Sequence, residues 1–434
     1  MRIKSLKLEN FRGFKDLTLE FDDAQTTVLI GVNGSGKSSV LDAIAMMLSF
    51  FVTMASTGER DQDRKDRSDL SIQRTYHRSH REPQAYPRDS DIRIGSPECR
   101  SNIVVSFDGM SDTWQMHCRP GNCELSGLKK LSLKSILLLR EHQEASLPVA
   151  IYYPVERSVS SIPLGLPDEY YYHQVTAYED AVNTGRREFE DFFKWYRGRE
   201  DVENEVIRVD HSHRDKQLEA VRNAVYNLIP GFRDLRVRRS PTLGMIVTKG
   251  SEELDVRQLS DGEKCLLAMA GDIARRLSIA NPALENPLEG KGVVLIDEID
   301  LHLHPSWQRK VIPALERTFP NLQFIVATHS PQVLSSAENA TVLLLSPGED
   351  GITARKLAGF FGRDTNWILE VLMEVDERPT EIKEKIEAFL SLIDDGRLDE
   401  GRAAMEDLAG QIGRDDPEIV RGEVLIRRKE ILGR

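Results

Sequence analysis

Nine residues near the N-terminus, GVNGSGKSS from Gly31 to Ser39, constrain this chain more than any other feature. They satisfy the pattern of a glycine, four residues and then Gly-Lys-Ser. They stand between the apolar run TTVLI at 26–30 and a stretch whose Val40, Leu41, Ile44, Met47 and Leu48 recur at helical spacing. Strand, glycine-rich loop, helix is the context a phosphate-binding loop needs. Glycines leave backbone N–H groups free to surround phosphate oxygens, and the helix start adds the positive end of its dipole. Asn33, Gly34, Ser35, Gly36 and Ser39 then line a nucleotide, Lys37 meets its β- and γ-phosphates, and Ser38 binds Mg²⁺. The competing reading is a glycine-rich turn that binds nothing, and the full match in its context weighs against it.

Three further segments belong with this loop. GVVLIDE at 292–298 has the length and β-branched content of a buried parallel strand. It delivers Asp297, suited to Mg²⁺, and Glu298, placed to polarise an attacking water. QLSDGEK at 258–264 opens a helix patterned by Leu266, Leu267, Met269, Ala270 and Ile273, which puts Ser260 and the Gly262 backbone at a helix N-terminus suited to an anion. Ser260 with Glu263 also makes a capping box, and alone that plainer reading would stand. FIVATHS at 324–330 ends a second buried strand with His329, which can donate to a γ-phosphate. IDLHLHP at 299–305 comes directly after Glu298 and places Asp300 at a subunit contact. His302 and His304 in the same run resemble a metal pair, but the surrounding motif already explains their spacing.

Composition excludes classes rather than naming one. The formal charge of −12 opposes whole-surface attraction to nucleic acid, although a local basic groove remains compatible with it. Four cysteines, at 99, 118, 123 and 265, are too few for a disulfide scaffold and fit reduced thiols in a cytoplasmic protein. HCRPGNC at 117–123 offers His117, Cys118 and Cys123, but without a second pair nearby it reads as ordinary strand and turn rather than a zinc site. The start MRIKSLKLENF lacks a signal-peptide core, and no run reaches the 18 or so apolar residues of a membrane span, so no membrane association is expected.

Taken in order, phosphate loop, signature, Mg²⁺ strand and switch histidine resemble the set of the ABC ATPases. The opening LKLENFRGF, and the separation of phosphate loop from signature by more than two hundred residues, look like the RecF and structural-maintenance-of-chromosomes branch. VAIYYPVERSV, FFKWYRGREDVEN, LSDGEKCLLAMAGDIARRL and FFGRDTNWILEVLMEVDERPTEIKEKI resemble the overcoming-lysogenization-type ATPases of bacterial defence, the PtuA family of Septu and related retron systems. The resemblance implies an α/β fold, an ABC-type P-loop ATPase head with an inserted middle lobe and a helical C-terminal tail. It also implies two ATP-sandwiching heads, each closing its phosphate loop against the other's signature, so that Ser260 acts in trans in a homodimer, with higher oligomers open. Partners implied are an HNH nuclease of the PtuB kind and, in retron versions, a reverse transcriptase with its small DNA. Arg12 in FRGF reaches nucleotide by the same resemblance, though an exposed strand-end arginine would look alike.

Departures bear on function. The Mg²⁺-sensing glutamine of relatives has no clear equivalent, the nearest candidates being Glu156, Arg157 and Gln143. Nucleases of the overcoming-lysogenization type add a Toprim module with an Asp-x-Asp pair, absent here, so nuclease activity is expected on another chain. No long heptad repeat supports coiled-coil arms. The expected division is a split head at 1–54 and 240–358, a polar surface insertion at 55–100, a strand and helix middle lobe at 101–239, and a tail of two helices at 359–434 with an acidic face. Arginines with Tyr76 and Tyr86 permit a nucleic-acid contact in the insertion, but its balanced acids favour a solvated loop. Together these features read as an ATP-hydrolysing switch in an antiphage complex. The alternative is a RecF-like ATPase of DNA repair or chromosome maintenance, and a transporter subunit comes third.

Overall fold

In the computed structural model the chain opens with a hairpin, β1 (Arg2–Phe11) and β2 (Phe14–Glu20), then β3 (Thr26–Ile30) and α1 (Lys37–Thr57). Three strands come next, β4 (Cys99–Phe107), β5 (Met110–Arg119) and β6 (Asn122–Ser126), and then β7 (Val149–Tyr153). Helices α2 (Glu188–Ile207) and α3 (Lys216–Leu228) precede β8 (Phe232–Arg238), β9 (Gly244–Lys249), β10 (Glu252–Asp255) and α4 (Asp261–Ala280). The remainder of this unit is β11 (Gly292–Ile296), α5 (Pro305–Gln308), α6 (Val311–Thr318), β12 (Leu322–Ala327), α7 (Pro331–Ser335), β13 (Thr341–Gly348) and β14 (Gly351–Leu357). Described residues are 1–57, 85–128, 146–155, 173–182, 188–348, 351–373, 376 and 378–432. The chain divides into two units, Met1–Arg363 and Asp364–Arg434.

The strands of the first unit sort by burial pattern. β3, β7, β11 and β12 are buried at every residue, and they lie side by side in a six-stranded sheet ordered β14-β13-β3-β12-β11-β7, parallel except for β14. Burial on both faces is why these segments read as unbroken apolar runs. β4 and β5 instead alternate buried and open residues within an antiparallel sheet ordered β2-β1-β4-β5-β6. Gln323 of β12 fastens the two sheets: its amide accepts from Ile3 N at 2.7 Å and donates to Ile3 O at 3.1 Å. Trp114 of β5, fully buried, donates its indole N–H to Met47 O of α1 at 3.0 Å.

Helix α1 corrects one expectation. Lys37–Ala55 is long and apolar enough to cross a membrane by length and composition, contrary to the expectation that no run is. Most of it is buried inside the protein, and Trp114 and the strands on either side account for its apolar surface. A second correction concerns the cysteines. Cys118 and Cys123 face one another across the β5–β6 hairpin with Cα atoms 4.1 Å apart, and they form a disulfide rather than two free thiols. Cys99, opposite Cys118 on β4, is a buried thiol pushed up to about 11 by burial.

The expected middle lobe is divided differently. β4–β6 complete the N-terminal antiparallel sheet, and β7 completes the parallel sheet beside β11. Strands distant in sequence are recruited by open sheet edges, which spacing along the chain does not reveal. What stands beside the sheets is α2, α3 and a three-stranded sheet β10-β9-β8. Most of the expected polar insertion lies outside the described residues, with Tyr76, and so do Gln143, Glu156 and Arg157.

The second unit contains α8 (Thr380–Asp394), α9 (Leu398–Ile412) and α10 (Pro417–Leu432). Ile386, Phe389, Ile393, Met405, Leu408, Ile419 and Ile426 form its core. The two expected helices are present and α10 is additional. Its apolar residues are spread around the helix, with Val420, Val424 and Ile431 exposed, so it lacks the one-sided pattern that announces a helix in sequence.

Candidate active site

The carboxyl ends of β3, β11 and β12 bring three of the sequence motifs together. The glycine-rich loop leaves β3 with Ser35 buried, and Gly36 sits at φ +89 where a Cβ would meet the Phe14 ring 2.5 Å away. Lys37 is folded back on this loop, donating its amine to Gly31 O at 2.9 Å and Val32 O at 3.2 Å. Burial pushes the Lys37 amine down, while Asp297, Glu298 and Asp300 pull it back up. One cation thus lies within the field of three carboxylates. Asn33, Gly34 and Ser38 are exposed at the loop's outer surface, with Ser39 half-buried behind them.

Asp297 closes the fully buried β11 and is 2% exposed, its N–H donating to Tyr153 O at 2.9 Å. Its Oδ1 accepts from Glu298 N at 3.1 Å, and Glu298 takes up φ +44, a turn that carries the second carboxylate out of the strand line. Left-handed backbone at a glutamate costs of order 1 kcal/mol, so the neighbouring structure holds this turn. Ser38 and Asp297 are hard oxygen donors of the kind Mg²⁺ takes, one exposed on the loop and one at a strand end. His329 lies just past β12, and burial lowers its imidazole below the usual range. Lys37 lowers it further, and Asp300, Glu298 and Asp297 act the other way. The neutral ring retains one N–H to donate.

Asp300 accepts from Thr328 Oγ1, which joins the turn after Glu298 to the segment before His329. His304 caps α5, its Nδ1 accepting from Ser306 N at 3.3 Å, so the H-x-H spacing serves a helix start. Ser260 caps α4 reciprocally with Glu263: Ser260 N donates to Glu263 Oε2 at 3.0 Å, and Glu263 N donates to Ser260 Oγ at 3.4 Å. Lys249 holds the same glutamate at 2.6 Å. Gly262 is buried, and a Cβ there would lie 2.5 Å from His302 O. Arg12, at φ +46, donates to Asp91 Oδ1 at 2.8 Å, Asp42 Oδ2 at 2.5 Å and Ser39 Oγ at 3.4 Å. It therefore stands beside the loop, already held by two carboxylates.

Residues 26–335, from β3 through α7, match the profile of the family described as AAA domain, putative AbiEii toxin, Type IV TA system. The chain belongs to that family. Over 500 residues it is 31% identical to the Retron Ec83 probable ATPase of Escherichia coli, covering 99% of this chain and 87% of the relative. It is 29% identical over 455 residues to the Retron Vc95 probable ATPase of Vibrio cholerae serotype O1 biovar El Tor, with 92% and 85% covered. The Septu protein PtuA of Bacillus thuringiensis is 24% identical over 403 residues, with 86% and 85% covered. The protein is an ATPase, as its phosphate loop and acidic strand end implied.

Several polar groups of the ATPase lie outside the sequence motifs. Asp42 receives Arg12 on one oxygen and Tyr152 Oη on the other at 2.8 Å, linking α1 to β7. Asp272, fully buried on α4, accepts from Tyr153 Oη at 2.9 Å, Arg276 Nε at 2.8 Å and Arg275 Nη2 at 2.6 Å. Burial favours its neutral acid, but Arg276 and Arg275 hold the carboxyl down at about 2. The sequence carries a signal for this cluster. An Asp-x-x-Arg-Arg run inside an apolar helix places charge on the buried side, where it must be paired.

Proposed function

We propose that two copies of this ATPase close on two ATP molecules, each bound by the glycine-rich loop of one copy and the α4 N-terminus of the other. The observation that carries the reading is the pairing of two separate anion-suited helix starts in one chain, at Lys37 and at Ser260, with the acids and His329 gathered by the first. Lys37 leaves the Gly31 and Val32 carbonyls for the β- and γ-phosphates, Glu298 polarises the attacking water, and His329 donates to the γ-phosphate. Mg²⁺, held by Ser38 and Asp297, would neutralise phosphate charge. Asn33, Gly34, Ser35, Gly36 and Ser39 line the phosphates, Asp300 meets the partner copy, and Arg12 exchanges a carboxylate for the nucleotide.

In this reading the cycle of closure and opening serves cytoplasmic antiphage defence, governing an HNH nuclease on another chain. In a retron setting a reverse transcriptase with its small DNA is a further partner. The relatives named for retrons and Septu support it. Mixing Lys37→Ala chains with Ser260→Arg chains tests the shared site. Each variant alone is inactive, whereas a heterodimer keeps one site with both halves intact and regains activity. Mixtures as inactive as either parent, with subunit exchange verified, would refute sharing.

A further inference from the structure

The turn after Glu298 is strained and clamped. Glu298 and His302 both occupy left-handed backbone, at φ +44 and +64, without being glycine. Such residues persist only where their surroundings over-determine them. Leu301 N donates to Glu298 O and Leu303 N to Asp300 O, each at 3.0 Å, which shapes the turn but does not fix where it sits. Ile299 N donating to Ala327 O at 3.0 Å and Thr328 Oγ1 donating to Asp300 Oδ1 tie its first half to the end of β12, and Gln308, at the end of α5, anchors its second half. Its amide nitrogen donates to Leu303 O at 2.9 Å and Asp300 O at 3.4 Å, while its Oε1 accepts from Ser330 Oγ at 2.7 Å. Two carbonyls on one side and a hydroxyl on the other allow only one orientation of that amide in which every group is satisfied.

On its far side the same turn presses against the α4 start. The His302 carbonyl oxygen lies 2.5 Å from where a Gly262 Cβ would be, and buried Leu303 adds its Cδ2 at 3.5 Å. Gly262 is in helical backbone, so the glycine answers to this approach rather than to φ. The turn that carries the general base is thereby wedged between the signature start and the His329 segment. We propose that Gln308 is a positioning residue for Glu298, holding its turn so that a shift of the signature start is felt at the base. The second clause rests on the shared-site reading above, in which that start contacts the other copy's nucleotide.

Gln308→Glu keeps shape and the acceptor for Ser330 but turns an oxygen toward two carbonyls. The full-length variant is expected to lose about 10-fold in kcat with KM within about 2-fold, and the Hill coefficient for ATP is expected to fall from above 1 to 1. Gln308→Lys, which restores a donor, recovers most of the rate. A cycle with Glu298→Gln, read by single-turnover hydrolysis, separates positioning from general loosening. If Gln308 acts through the base, its effect disappears in the Glu298→Gln background. Multiplicative losses in that cycle, or an unchanged kcat, would overturn the assignment whether or not the dimer shares its sites. A non-additive cycle with an undiminished Hill coefficient would confine Gln308 to its own site and overturn transmission. Absence of ATP-dependent dimers by light scattering would instead refute the shared-site reading, leaving the cycle to decide Gln308.

Discussion

The glycine-rich loop and the signature turn are both helix starts with a buried glycine contact, yet they use glycine for different reasons. Gly36 needs it twice, because φ +89 is a conformation other residues resist and because Phe14 occupies the Cβ position. Gly262 has ordinary helical backbone and needs only the space taken by His302 O. The first glycine builds a conformation, whereas the second permits a contact between motifs. A conformation of the first kind is legible from the loop's own residues. A contact of the second kind exists only when two distant segments meet.

The sharpest division of labour within the loop's own cluster is between Asp297 and Glu298. With Glu298 as the base proposed above, Glu298→Gln is expected to slow hydrolysis by roughly 10²–10⁴ while leaving ATP binding intact, since it loses the proton acceptor and retains shape. Equilibrium nucleotide binding and single-turnover hydrolysis measure the two separately. A rate within a few-fold of the unaltered protein would take the base role away from Glu298.

The two glycines can be separated by compensation. Gly36→Ala is expected to weaken ATP binding about 10-fold, from the roughly 1–2 kcal/mol that a left-handed alanine costs. Enlarging the space with Phe14→Leu should not restore it, because the backbone penalty remains. Gly262→Ala carries no such penalty, so relaxing the facing turn with His302→Gly should recover much of the lost hydrolysis. Rescue of Gly36→Ala by Phe14→Leu, or failure of His302→Gly to help Gly262→Ala, would erase the distinction.

The same distinction governs how much is readable from sequence. The parallel strands at 26–30, 292–296, 322–327 and 341–348 are legible because double burial makes apolar runs. Lys37, Asp297 and His329 are legible because each sits at a fixed offset from the end of such a strand, so local residue order alone places it. Gln308, Asp42 and Asp91 are not, since each acts through partners set by tertiary packing: two carbonyls and a hydroxyl for Gln308, an arginine for the acids. The placement of β4–β6 and β7 in the two sheets is hidden for the same reason. The disulfide between Cys118 and Cys123 depends on register across a hairpin, which a count of cysteines does not contain.

The smallest effect expected is a proton equilibrium that reports whether the loop and the switch histidine share one electrostatic site. Burial and Lys37 lower His329 below its ordinary 6.5, against the pull of Asp300, Glu298 and Asp297. Its NMR titration in the nucleotide-free protein is therefore expected below 6.5. Lys37→Ala removes one of the two lowering influences and keeps all three raising ones, so the midpoint moves upward. The sign carries into stability. Because the native ring binds its proton less readily than the unfolded chain, falling pH favours unfolding, and this contribution declines as pH drops through about 6.5. His329→Gln should flatten that part of the pH dependence of urea unfolding. A midpoint that stays put or falls in Lys37→Ala would separate the histidine from the lysine electrically, leaving the phosphate loop and the switch strand as neighbours without a common field.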